Sequence, residues 1–143
     1  MELRDIMTRD VEVVNGDASL TDAAIKMKDL DVGLIPVCNG DRLQGMVSDR
    51  DITIRATAAG RDPTKTKVEE IMSTDIAYCM EDQEIEEAVN LMEARQIRRL
   101  PILNREHRLV GIVSLGDIAV HVGDQDLAGE TLVEISTPSE PKR

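Results

Sequence analysis

Apolar residues along this chain follow a helical spacing and a strand spacing in a fixed order, and that order occurs twice. Leu20, Ala23, Ala24 and Met27 stand at i, i+3, i+4 and i+7, which places them on one face of a helix. Ile85, Ala88, Val89 and Met92 repeat that stripe. Each stripe is preceded by a short run rich in strand-favouring residues: Val11, Val13 and Val14, then Ile76, Tyr78 and Cys79. Each is followed by two more apolar runs, Leu34–Cys38 and Leu43–Val47 in the first copy. The turn between them reads "NGD" in the first copy, a hairpin signal, and "NREH" in the second. A second helix is predicted to open at Ser48 and again at Ser114. The pattern is β-α-β-β-α, written twice, each copy led by a short helical stub at Arg4–Met7 or Val68–Met72.

The two copies align residue by residue. Ile6, Met7 and Asp10 fall on Ile71, Met72 and Asp75, and Pro36 falls on Pro101, all at one offset. One extra residue in the second turn then brings "RLQGMVSDRDI" onto "RLVGIVSLGDI". The expected organisation is repeat 1 over 1–57, a polar linker over 58–67 carrying Gly60 and Pro63, and repeat 2 over 68–122. The remainder, 123–143, is expected to hold a short helix through Leu127, Leu132 and Ile135 and a frayed tail. A unit of roughly fifty residues buries too little surface to be comfortable alone. The expected fold is therefore a mixed α/β (α+β) one, with the two repeats packed about a pseudo-twofold axis.

Composition narrows the chemistry. Hydrophobic residues make up 41% of the chain but aromatic ones only 1%, so the core must be aliphatic. Tyr78 is the one aromatic residue, which removes the stacking platforms of single-strand nucleic-acid binding. A formal charge of −11 argues against phosphate-backbone binding as well. No apolar run reaches the roughly 20 residues of a membrane span, and "MELRDIMTRD" lacks a signal-peptide core. The expected location is the cytoplasm. Cys38 and Cys79 are too few for a disulfide scaffold and occupy non-equivalent positions, so free thiols are expected. His107 and His121 have no Cys or carboxylate at a ligand spacing, so no metal site is expected. No arrangement of nucleophile, base and orienting group stands out, so no catalytic residue is expected either.

The repeated phrase Gly-apolar-apolar-Ser-x-x-Asp carries the candidate chemistry. Ser48 with Asp51, and Ser114 with Asp117, have the spacing of a helix capping box, which needs no ligand. The same pair sets a hydroxyl and a carboxylate at a helix start beside free amides. Such a carboxylate suits a vicinal diol, and the amides and hydroxyl suit phosphate oxygens. Both readings stand on the sequence. Pro36 and Pro101 interrupt a strand at the same place in each copy, marking an edge or freeing backbone groups for a planar polar ring.

With these residues in place, the chain resembles a pair of CBS domains, the regulatory module named for cystathionine β-synthase, of the stand-alone kind with no catalytic domain attached. The resemblance covers residues 1–122, and both copies show it. It implies a flat disc with two related clefts between the copies, a homodimer, and AMP, ADP, ATP or S-adenosylmethionine as a regulatory ligand rather than a required cofactor. It also implies that Asp51 and Asp117 hold the ribose and that Ser48 and Ser114 contact ribose or phosphate. Ile35, Pro36, Leu100 and Pro101 would line the base pocket with the strand starts near Val11 and Ile76. The copies differ in charge: Arg50 lies inside the first phrase, whereas Gly116 replaces it in the second, where Arg98 and Arg99 precede the Leu-Pro step. These arginines are expected to set any preference for phosphate. A sensor read by an unknown protein partner is the leading reading. The alternatives are a ligand-free interaction module and, with least support, a small enzyme or metal protein.

Overall fold

The computed structural model describes residues 1–122, so the helix and tail expected over 123–143 lie outside the described residues. The chain divides into two compact units, one of Glu12–Ile76 and one combining Met1–Val11 with the chain from Ala77. They are called here the first-copy and second-copy units.

In the first-copy unit, α1 (Leu20–Leu30) opens on Ser19, whose side chain accepts from the Asp22 amide, and closes on Asp31 in a left-handed conformation. The antiparallel hairpin β1 (Leu34–Asn39) and β2 (Arg42–Ser48) follows, turned at Gly40 with φ +64°. Helix α2 (Asp49–Asp51) runs on as a π-helical stretch, Ile52–Thr57. The segment 58–67, expected as a linker, hydrogen-bonds to the start of α1: Leu20 N–H donates to Thr66 O at 3.0 Å and Thr21 N–H to Pro63 O at 3.2 Å. Leu20, Ala23 and Met27 from the helical stripe meet Ile35, Val37, Val47, Val68 and Ile71 in an aliphatic core.

The second-copy unit repeats the plan. Strand β3 (Cys79–Met80), helix α3 (Ile85–Arg95), strands β4 (Arg99–Leu103) and β5 (Leu109–Ser114) and helix α4 (Leu115–Val122) follow in order. Its sheet runs β3-β4-β5, the first pair parallel and the second antiparallel. Ile85, Ala88, Val89 and Met92 pack with Leu100, Ile102, Val113 and Ile118.

The leading stubs do not stay with the repeat they precede in sequence. Leu3 N–H donates to Gln83 O at 2.9 Å, and Thr8 exchanges hydrogen bonds with Ile112 at 2.8 and 3.0 Å, so the N-terminal segment belongs to the second-copy unit. Correspondingly, Val68 N–H donates to Ala18 O at 2.8 Å, and Ser73 exchanges bonds with Met46 at 2.8 and 2.9 Å. Sequence repeats and compact units thus divide the chain differently.

The expected first strand of each copy is nearly absent. Over Val11–Val14 only one bridge forms, Val14 to Val37, and in the second copy only Cys79–Met80 is strand. Proline is the cause. Val14 N–H donates to Pro36 O at 3.1 Å and Cys38 N–H donates to Val14 O at 2.9 Å, so the next bond of this parallel ladder would need an amide hydrogen on residue 36. Proline has none, and the ladder stops. Pro101, next to Ile102 in the β3–β4 pair, withholds the same group. Asp10, at φ +55°, turns the chain just before Val11. Among the described residues no helix is long and apolar enough to cross a membrane.

Candidate functional site

Each hairpin delivers its Ser-x-x-Asp phrase to the start of a helix. Asp49 N–H donates to Gly33 O at 2.9 Å and Leu115 N–H donates to Arg98 O at 2.9 Å, which ties both helix starts to the residue just ahead of β1 or β4. The repeated glycine of the phrase has a packing reason. A Cβ on Gly45 would lie 2.7 Å from Met72 Sδ and 2.8 Å from Ser73 O, and one on Gly111 would lie 2.6 Å from Met7 Sδ and 3.0 Å from Thr8 O. The leading stub of each unit crosses β2 or β5 at that residue, and only glycine leaves room.

The capping box is formed in both copies. Ser48 Oγ accepts from Asp51 N–H at 3.0 Å while Asp51 Oδ2 accepts from Ser48 N–H at 3.0 Å. Ser114 and Asp117 make the same exchange at 3.0 and 2.9 Å. The two readings of the phrase are compatible in chemistry. A cap uses one carboxylate oxygen and one hydroxyl lone pair, so each Asp keeps acceptor capacity and each Ser keeps its proton to donate. All four side chains are half-buried.

The remaining predicted residues take distinct places. In the first-copy unit, Ile35 is 1% exposed and packs in the core, so what it offers outward is backbone; Pro36 beside it is buried too. Leu100, at 0% exposure, and Pro101 repeat this in the second-copy unit. Val11 and Ile76 are half-buried, Val11 ending the N-terminal segment of the second-copy unit and Ile76 ending the first-copy unit. Arg50, Arg98 and Arg99 are exposed, and Arg99 stands directly opposite Ser114 across the β4–β5 ladder, where Leu34 faces Ser48 in the first copy.

The exchange of Asp49-Arg50 for Leu115-Gly116 is accompanied by a second one, Gly33 for Arg98. The Asp49 carboxylate lies against Gly33, where an added Cβ would come within 2.9 Å of it, so a larger residue there would push the carboxylate aside. In the second copy the glycine position carries Arg98, and Leu115, 7% exposed, has turned into the core.

Sequence reasoning missed Arg55. Its Nε lies 3.7 Å from Asp51 Oδ1, and its Nη1 donates to Ile71 O at 3.3 Å and approaches Met72 O at 3.5 Å. The signal available was its position, one helical turn beyond Asp51, and its replacement by His121 in the second copy.

The cysteines are free and buried, and burial pushes each thiol up to about 11, with Asp41 adding to the effect at Cys38 and Glu87 at Cys79. A polar cavity of about 280 Å³ in the second-copy unit is lined by Arg4, Glu81, Asp82, Asn104, Arg105 and Glu106. It lies by the β4–β5 turn, at the end of the hairpin remote from Ser114.

Residues 3–56 and 68–124 match the CBS domain family. The chain is 44% identical over 134 residues to CBS domain-containing protein YhcV of Bacillus subtilis, covering 94% of each. It is 45% identical over 120 residues to Hypoxic response protein 1 of Mycobacterium tuberculosis, covering 83% of each. A crystal structure of Hypoxic Response Protein I with two coordinated zinc ions matches with a TM-score of 0.78 at 43% identity, over 85% of this chain and 98% of that one. Among the described residues of this chain, no three His, Cys, Asp or Glu side chains come together as a metal-holding group.

Proposed function

The chain belongs to the CBS-domain family as a pair of such domains, and from that premise we propose that it is a regulatory module whose two Ser-x-x-Asp helix starts take an adenosine-containing ligand: AMP, ADP, ATP or S-adenosylmethionine. One observation carries the reading. The same reciprocal cap is built twice, and each time it fixes the rotamer of a half-buried aspartate without using all of its acceptor capacity. Asp51 and Asp117 accept from the ribose diol, and Ser48 and Ser114 donate to ribose or phosphate. The buried Ile35–Pro36 and Leu100–Pro101 steps meet the base through backbone, with Val11 and Ile76 beside them. Charge-assisted hydrogen bonds of this kind contribute about 1.5–3 kcal/mol each. Arg50, Arg98 and Arg99 supply the local positive charge that an acidic chain needs before it can hold a phosphate.

No catalytic step is assigned to these groups. The output is a shift between two arrangements of the protein, as a homodimer, that a protein partner reads, and its size is set by the ligand's differential affinity for the two. Calorimetry of the purified chain with AMP, ADP, ATP and S-adenosylmethionine tests the reading. Saturable binding of at least one is expected, lost when Asp51→Ala and Asp117→Ala are combined. Silence from all four at millimolar concentration overturns it and leaves the ligand-free interaction module.

A further inference from the structure

We infer that Arg55 is a specificity determinant of the Asp51 half: it competes with an uncharged diol for Asp51 and so favours a phosphorylated ligand there, whereas an uncharged diol meets no such competition at Asp117. The inference rests on the ribose-diol reading above and adds a residue and an order of occupation to it. At Asp51 both carboxylate oxygens already have partners: Oδ2 accepts from Ser48 N–H, and Oδ1 faces Arg55 Nε at 3.7 Å. The guanidinium is held from its far side as well, by the carbonyls of Ile71 and Met72. It projects from the π-helical stretch Ile52–Thr57, where Ala58 N–H reaches back five residues to Thr53 O at 2.9 Å. In the second copy α4 is helical in the ordinary way through Val122, the matching residue is the exposed His121, and among the described residues Asp117 is engaged by its Ser114 cap alone.

A neutral nucleoside that donates its diol to Asp51 must share Oδ1 with Arg55 or displace it, and a displaced guanidinium loses its ionic partner. A ligand carrying a phosphate brings an anion of its own for that arginine, in the geometry arginine favours. The second copy has no guanidinium at this helical position, and its cation opposite the cap is Arg99 on β4. Because Arg55 is half exposed, the discrimination is modest.

The test uses adenosine and AMP as probes, with Asp117→Asn and Asp51→Asn proteins isolating each half. Adenosine is expected to bind the Asp51→Asn protein more tightly than the Asp117→Asn protein. Adding Arg55→Gln to Asp117→Asn should raise adenosine affinity about two- to fivefold, the range of an exposed ion pair, and lower the AMP-to-adenosine ratio. Arg55→Lys should keep that ratio near its starting value. Adding His121→Arg to Asp51→Asn should raise the ratio in the other half. Melting temperatures of all variants separate a folding defect, which moves both probes together, from the change in ratio. If both probes bind but Arg55→Gln leaves the ratio unchanged, or the Asp51 half binds adenosine as tightly as the other, this inference falls alone. If the wild-type chain binds neither probe, the diol reading falls and takes this inference with it.

Discussion

The two units share a frame and differ in charge. Both tie a helix start to the residue that leads into the hairpin, both cap that helix with Ser and Asp, and both let a leading stub cross the hairpin at a glycine. Around the first cap stand Asp49, Arg50, Asp51 and Arg55, two carboxylates and two guanidiniums that cancel. Around the second stand Asp117, Arg98 and Arg99, one carboxylate against two guanidiniums. The backbone plan has been kept where packing demands it, and side chains have diverged where solvent tolerates it. Position 115 is an exception: Leu115 packs in the core of its unit, whereas the matching Asp49 is exposed.

If the frames are equivalent, core truncation should cost the same in each. Ile35→Ala and Leu100→Ala should each lower stability by about 2–5 kcal/mol, measured by urea unfolding. A cost near zero at either would mean that the side chain faces an open pocket rather than the core.

The glycines should break the equivalence. Gly45→Ala pushes on a backbone oxygen, Ser73 O at 2.8 Å, as well as on Met72. At Gly111 the nearest obstacle is the flexible Met7 Sδ at 2.6 Å, and the backbone oxygen is further off at 3.0 Å. Both should destabilise by about 1–3 kcal/mol, with Gly45→Ala the worse. Equal melting points for the two variants would contradict this ranking.

The thiols sharpen the comparison in a different register. With folded values raised from 9.0 to about 11, Cys38 and Cys79 stay protonated while the unfolded chain releases its thiol protons. Their contribution is intact below pH 9 and lost as pH rises towards 11, on the order of 2 kcal/mol per thiol at the upper end. Thermal melts across that window should show the fall, and Cys38→Ala or Cys79→Ala should each flatten it by a similar amount. Iodoacetamide at neutral pH should leave both residues unmodified until the protein is unfolded.

The caps come last. Ser48→Ala and Ser114→Ala should each cost about 1 kcal/mol, and a large difference between them would show that one serine carries more than the helix end.

Much of this was legible in the sequence because it is periodic or local. The helical stripes, the hairpins, the serine caps and the duplication all depend on residues close together in the chain. The shortened first strands were half legible: Pro36 and Pro101 were visible, but which ladder they would interrupt depends on Val14 and Cys79 coming alongside from more than twenty residues away. The role of Gly45 and Gly111 was hidden for the same reason, since the atoms that exclude a Cβ belong to Met72 and Met7. Alignment of Ile6-Met7 with Ile71-Met72 revealed equivalent stubs without revealing which unit each would join. Arg55 was overlooked because an arginine one turn beyond an aspartate is ordinary on any exposed helix.

The exchanged stubs also set a timetable for synthesis. Glu12–Ile76 is contiguous and can complete its fold while the rest of the chain is still being made. Leu3, Ile6 and Met7 precede that unit in the chain but must wait for β5, whose Ile112 pairs with Thr8. At translation rates of about 5–20 residues per second, that interval lasts on the order of five to twenty seconds. Apolar residues made before the first-copy unit are therefore placed only after that unit can already be complete.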